Sequence, residues 1–129
     1  MINIIPAKSE DLIHVQSIAH RTWPDTFGAI LSPAQIDYML NWFYDINHLK
    51  EQIGQGHIFL LANEGGEKLG FTGIEINNVP GKTKIHKIYI LPTAQGKGIG
   101  KKLIQAIKAI ALENEQTSLL LNVNKYNTG

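Results

Sequence analysis

The segment from Ile85 to Glu113 limits the possible folds of this chain more than any other. An apolar run, Ile85 to Leu91, enters Pro92-Thr93-Ala94-Gln95-Gly96-Lys97-Gly98-Ile99-Gly100-Lys101-Lys102, and an amphipathic run leaves it. A further strand, rich in Leu and Val, is expected from Ser118 to Asn124. A strand, loop, helix and strand in that order form a right-handed crossover, so the last strand lies parallel to the one before the loop. Glycines at 96, 98 and 100 mark a backbone that takes unusual dihedrals or is approached closely. Lys97, Lys101 and Lys102 surround the start of the helix, where the positive end of the macrodipole disfavours cations. Two readings stay open on charge alone, since such terms amount to about 0.3–1 kcal/mol. One is a bound anion such as phosphate; the other is a solvated lysine face.

The rest of the chain supplies a sheet for this unit. Ile2 to Ile5 reads as a strand stopped by Pro6, and Ser9 caps a helix to about Thr22 with Leu12, Val15, Ile18 and Ala19 on one face. Trp23-Pro24 is expected to end it. Ser32-Pro33 pairs an N-cap with proline at the first helical position, opening a helix to about Tyr44. That helix carries Ile36, Met39, Leu40 and Phe43 on one side and Tyr38 and Trp42 on a neighbouring one. Asp45 caps a short helix to about Gln52. The period then falls to two. Strands His57–Asn63, Lys68–Asn77 and Lys82–Leu91 are separated by the turns Glu64-Gly65-Gly66-Glu67 and Asn78-Val79-Pro80-Gly81. A helix from about Gly98 to Glu115 presents Ile99, Leu103, Ile107, Ile110 and Ala111 to the sheet. The predicted class is α+β with a mixed sheet, in the order β-α-α-α-β-β-β-α-β, forming one domain over residues 1–129. The final strand stops at Asn124, close to Gly129, which suggests a chain truncated after its fifth strand.

Bulk properties narrow the function. The 129 residues are 43% hydrophobic and 18% charged, the make-up of one soluble globular domain. A net charge of +1 gives no global reason to expect nucleic acid or an anionic membrane as partner. With no cysteine, disulfides, thiolate ligands and a cysteine nucleophile are excluded. No signal peptide or membrane span is recognisable, so a cytoplasmic location is the expectation.

Three phosphate-binding loops compete for Gln95–Lys102. The Walker A pattern fails: Gln95 stands in place of its first Gly, Gly96 is one residue too close, and Lys102 replaces the hydroxyl that would hold magnesium. The dinucleotide fingerprint fails at Lys101, where its third Gly belongs. The third loop fits. Gln95-Gly96-Lys97-Gly98-Ile99-Gly100 after Ile88-Tyr89-Ile90-Leu91-Pro92 resembles the acyl-CoA loop, [Q/R]-x-x-G-x-[G/A], of the GCN5-related N-acetyltransferase (GNAT) family. The resemblance extends to the meander before the loop and to Asn122–Gly129, which looks like the start of the family's second motif.

The resemblance implies a GNAT-like acyl-CoA N-acyltransferase fold and acetyl-CoA as cofactor. It implies that Ile88, Tyr89 and Ile90 pair through their backbone with the pantetheine arm. Gln95, Gly96, Lys97, Gly98, Ile99, Gly100 and Lys101 would hold the pyrophosphate, and Asn127 would contact the cofactor. The family's helix with Phe-Tyr, which often supplies the acid for the CoA thiolate, has no counterpart in the sequence. Where several members carry a Glu base, this chain has His86; Glu75 on the adjacent strand is the second candidate. Trp23, Phe27, Tyr38 and Trp42 stand where members bind their acceptor, with Asp25, Asp37 or Asp45 nearby. The same aromatics also fit a core. The stretch Thr22–Tyr44 looks like the bacterial spermidine/spermine acetyltransferase branch. His14, His20, His48 and His57 show no ligand spacing along the chain, so no metal is expected. The leading function is acetyl transfer to a small primary amine such as a polyamine. The alternatives are a peptide or protein amine as acceptor, or a non-catalytic CoA-binding or interaction module. Partners are then the amine and, as an open arrangement, a second copy in a homodimer.

Overall fold

The computed structural model describes residues 1–121, without the side chain of Leu121. Five strands form one sheet in the order β1-β2-β3-β4-β5: Ile2–Pro6, His57–Glu64, Glu67–Val79, Lys82–Ile90 and Ser118–Leu121. The first four run antiparallel to their neighbours, and β5 is parallel to β4, pairing Lys82–Ile85 with Ser118–Leu121. The mixed sheet and its crossover are therefore as read from the sequence. Four helices complete the fold: α1 (Leu12–Phe27), α2 (Pro33–Phe43), α3 (Ile46–Gly54) and α4 (Ile99–Glu113).

Local chemistry accounts for most boundaries. Gly65 and Gly66 both take positive φ in the β2–β3 turn, where a side chain would strain the backbone. Ser32 Oγ accepts from the Gln35 N–H and Gln35 Oε1 accepts from the Ser32 N–H, closing a capping box at α2. Asp45 Oδ2 accepts from the His48 N–H and starts α3. Ser9 does not cap α1. A single 3₁₀ turn, Ser9–Asp11, comes first, and the Asp11 carboxylate accepts the Lys8 N–H.

Trp23-Pro24 does not end α1, which continues to Phe27. Proline removes one helical hydrogen bond. Against that loss, Trp23 and Phe27 lie one turn apart, ring centroids 4.7 Å from each other, and Trp23 also packs against Tyr44 and Tyr89. Burying Trp23, worth about 1.5–3 kcal/mol, together with part of Phe27 offsets the break. The Gly28 N–H then bonds to the Pro24 carbonyl at 2.9 Å.

Helices cover both faces of the sheet. Tyr89 meets Phe71 and Trp23, and so faces α1. Its neighbour Ile90 points the other way and comes close to Gly100 of α4. Ile99, Leu103, Ile107 and Ala111 are the buried stripe of α4, while Ile110 is half-buried at its margin. The core formed between these layers includes Leu12, Ile18, Leu40, Leu49, Phe59, Leu61, Phe71 and Ile74.

Candidate functional site

Strand β4 leads to the site. The Leu91 N–H donates to the Leu69 carbonyl at 2.9 Å, and Thr72 Oγ1 donates to the Lys87 carbonyl at 2.7 Å. Main-chain groups of Lys87, Tyr89 and Leu91 thus face β3. Alternation turns those of Ile88 and Ile90 the other way. On that side, β5 pairs with β4 only as far as Ile85 among the described residues. Gln95 Nε2 donates to the Ile90 carbonyl at 3.2 Å, so the first residue of the loop motif ties the loop to the end of the strand.

The loop runs through a 3₁₀ turn, Pro92–Ala94, into α4. Gly96 (φ 84°) and Gly98 (φ 75°) are both left-handed, the latter at the N-cap. A Cβ on either would meet no atom of the described residues within 4 Å, so glycine is needed there for its dihedrals. Among the described residues no side chain caps α4, and its first turn holds no acidic residue. The first intrahelical bond at this end is Lys102 N–H to Gly98 carbonyl at 3.1 Å. The N–H groups ahead of it have no acceptor within the helix. Ile99 is buried and anchors the turn, Gly100 lies against Ile90, and Lys101 and Lys102 are exposed. Lys97 turns to Glu64, with Nζ 3.3 Å from Oε1. Uncapped amides and a positive helix end beside the glycines are the features an anion needs, and the residues present fit a pyrophosphate.

Ahead of the loop, the β3–β4 register slips: Gly73 pairs with Lys87 but Ile74 pairs with Ile85, leaving His86 as an extra residue in a β-bulge. The bulge lets consecutive residues share a face. A Cβ on Gly73 would touch both Phe59 and Lys87 Cγ, placing Lys87 on the α1 side, and His86 reaches that side as well. There His86 Nε2 lies 2.9 Å from Glu75 Oε1, and Asn78 Nδ2 donates to the same oxygen at 2.9 Å. These bonds, that from His86 first, hold the Glu75 carboxyl below its ordinary range. Glu75 is therefore an acceptor only. Its partner Nε2 must carry the hydrogen, which leaves the Nδ1 lone pair of a neutral His86 free to take a proton.

Two residues that the sequence reading did not assign to the site belong to this surroundings. His57 pairs directly with Glu75 across β2 and β3, its Nε2 3.7 Å from Oε1 and its ring stacked on His86 at 5.0 Å between centroids. Burial lowers its pKa, partly opposed by Glu75. Lys87 places its ammonium 4.7 Å from the Tyr44 ring centre and 5.7 Å from that of Phe59. Burial pushes this amine down to about 8. Burial likewise raises the phenols of Tyr44, with Tyr89 adding to the effect, and of Tyr89. No local signal marks His57, because its pairing with Glu75 depends on a slip in the β2–β3 register.

The four aromatics assigned to an acceptor pocket divide into two sets. Trp23 is only 6% exposed and Phe27 is half-buried beside it, so this pair lies in and against the core. Tyr38 (73% exposed) and Trp42 (66%) stand on the outer face of α2, where Tyr38 lines a shallow cleft with Ala34, Gln35 and Met39. Asp25, Asp37 and Asp45 are exposed. Asn127 and the end of the expected last strand lie outside the described residues.

Comparison with known proteins agrees with this fold. Residues 14–129 match the acetyltransferase (GNAT) family. An N-acetyltransferase of Lactobacillus delbrueckii subsp. lactis is 25% identical over 98% of this chain and 77% of its own length. The crystal structure of the PaiA N-acetyltransferase from Thermoplasma acidophilum in complex with coenzyme A superposes with a TM-score of 0.88 at 24% identity, covering 99% of this chain and 82% of that one. The structure of AAC(6')-Iy in complex with the bisubstrate analog CoA-S-monomethyl-acetylneamine gives 0.72 at 20% identity, over 99% and 83%.

Proposed function

Because the chain belongs to the acetyltransferase (GNAT) family, we propose that it transfers an acetyl group from acetyl-CoA to a small cationic amine of the polyamine class, with His86 as the general base. The observation carrying this reading is the hydrogen bond of His86 to Glu75, two residues before the stretch Ile88–Ile90 that leads into the uncapped helix. Donor binding and proton removal then lie along a single strand and its loop.

Acetyl-CoA, when bound, supplies an activated thioester. The residues of the chain do the rest. The N–H groups from Gly96 to Lys101 would hold the pyrophosphate, with the positive end of α4 adding to the attraction. Lys101 and Lys102 add charge, and Lys97 can exchange Glu64 for a phosphate. Main-chain groups of Ile88 and Ile90 offer an edge to which an extended amide-bearing arm can bind as a strand would. His86 Nδ1 would take the proton that the amine loses on attack, while Glu75 holds the ring in its tautomer and stabilises the imidazolium; as the amide forms the C–S bond breaks, and CoA would leave as a thiolate protonated from solvent. Such a base contributes about 10²–10⁴-fold. On α2, Tyr38, Trp42 and the exposed Asp37 combine aromatic faces with a carboxylate, a surface suited to a multiply charged amine.

The test is acetyl-CoA titration by calorimetry, followed by thiol release with spermidine, spermine and an N-terminal peptide as acceptors. Turnover with polyamines is expected, and His86→Ala should lower kcat about 10²–10⁴-fold at unchanged acetyl-CoA affinity. Turnover with the peptide alone refutes the acceptor class. Binding without turnover on any amine leaves a CoA-binding module, and neither heat nor a thermal shift with acetyl-CoA refutes the whole reading.

A further inference from the structure

The carboxylate of Glu75 is placed between two imidazoles. His57 Nε2 is 3.7 Å and His86 Nε2 2.9 Å from Glu75 Oε1, and ligand atoms of all three residues lie within 4.8 Å of one another. The side chains come from three adjacent strands, so the sheet rather than a flexible loop sets their spacing. Each is partly accessible, at 14% for His57, 27% for Glu75 and 23% for His86, which leaves a path for an ion. Ligands about 2.0–2.2 Å from a tetrahedral ion stand about 3.3–3.6 Å apart, between the two distances seen here. Asn78 Nδ2 donates to the same Oε1 and fixes the carboxylate in place. Lys87, the nearest cation along β4, turns its ammonium to aromatic rings instead.

We propose that His57, Glu75 and His86 form a three-ligand site for a divalent first-row transition ion, with Zn²⁺ as the best fit, and that its occupation halts acetyl transfer. Two histidines and one carboxylate suit borderline ions of this type and leave a fourth position for water. The two rings are nearly parallel, 22° between planes, so one imidazole turns about its soft χ2 to bring both ring planes onto the ion. The site itself stands on geometry alone; the inhibition rests on the proposed role of His86, because an ion on Nε2 leaves the ring hydrogen on Nδ1, the nitrogen that would take the proton.

The full chain, stripped of metal with EDTA, is titrated with Co²⁺ while the visible bands of tetrahedral cobalt are recorded, and Zn²⁺ is then used to displace it. One ion per chain is expected. His57→Ala and the milder His57→Gln should each weaken binding at least about tenfold, and His14→Ala should leave it unchanged, with folding of each variant checked by its melting curve. Binding that survives in both His57 variants, or the lack of any tetrahedral cobalt spectrum, overturns the site. In a parallel assay Zn²⁺ should lower kcat and leave acetyl-CoA affinity intact, with EDTA restoring turnover. Metal bound at the triad without loss of turnover would remove the inhibition, and with it His86 as base, while leaving the site in place.

Discussion

Replacing Lys87 by Met should stabilise the protein at neutral pH, although it deletes a cation held over two aromatic rings. Folding lowers the pKa of this amine from 10.5 to about 8 through burial. At about 1.4 kcal/mol per pH unit, that fall makes the charged form about 3 kcal/mol less favourable in the folded state. Its contacts with the Tyr44 and Phe59 rings return about 0.5–2 kcal/mol, and Met keeps most of the apolar packing. The net gain expected for Lys87→Met at pH 7 is then about 1–2.5 kcal/mol. The sign of the pH dependence follows from proton counts. Between about 8 and 10.5 the unfolded chain holds the Lys87 proton and the folded chain does not, so stability of the parent protein rises with pH across that window. Met cannot titrate, and the gap between the two proteins should close as pH approaches 10. Urea denaturation in the presence of EDTA, at several pH values from 7 to 10, measures both quantities. A variant less stable than the parent at pH 7, or a gap that is flat with pH, would refute the reasoning.

Other expectations concern the loop, the sheet and α2. Gly98→Val places a branched side chain at φ 75°; it should cost about 1–2 kcal/mol of stability and abolish acetyl-CoA binding, both readable from thermal shifts with and without cofactor. Gly70→Ala brings a Cβ to 2.9 Å from the Tyr89 carbonyl oxygen, so a loss of about 1–3 kcal/mol with weakened acetyl-CoA affinity is expected, and a neutral effect would mean that β3 and β4 part more easily than their contacts suggest. Tyr38→Ala with Trp42→Ala should raise the KM for the amine while moving the melting temperature little, since both side chains are exposed.

The loop was legible because its signals are local. Glycine spacing, an apolar strand before it and an amphipathic helix behind it are all consecutive in the chain. The caps at Ser32 and Asp45 and the crossover were legible for the same reason, whereas Ser9 was not a cap. Trp23-Pro24 misled because proline acts locally while Trp23 is held by Tyr44 and Tyr89, residues distant in sequence. The His57–Glu75–His86 cluster depends on register. Counting outward from the Gly65-Gly66 turn, Glu64 faces Glu67, and an unbroken ladder would set His57 against Ile74 on the opposite face. A slip between Ala62 and Asn63 moves it onto Glu75. The second slip, beside Gly73, brings His86 to the same place. Bulges carry little sequence signature, so the pair His86 and Glu75 could be named as candidates but their neighbour His57 could not.

The bulge at His86 also bears on how this chain can change over generations. Ile85 pairs with Ile74 and Lys87 pairs with Gly73, so the residues flanking His86 already stand in the relation of consecutive positions in a regular strand. His86 is inserted between them. Losing it would restore a continuous ladder and exchange no side chain between the two faces of the sheet. A one-residue deletion there should therefore fold and melt cooperatively while losing the imidazole. The group proposed to do the chemistry is inherited almost independently of the scaffold, and the fold can gain, drop or replace it without redesigning its interior.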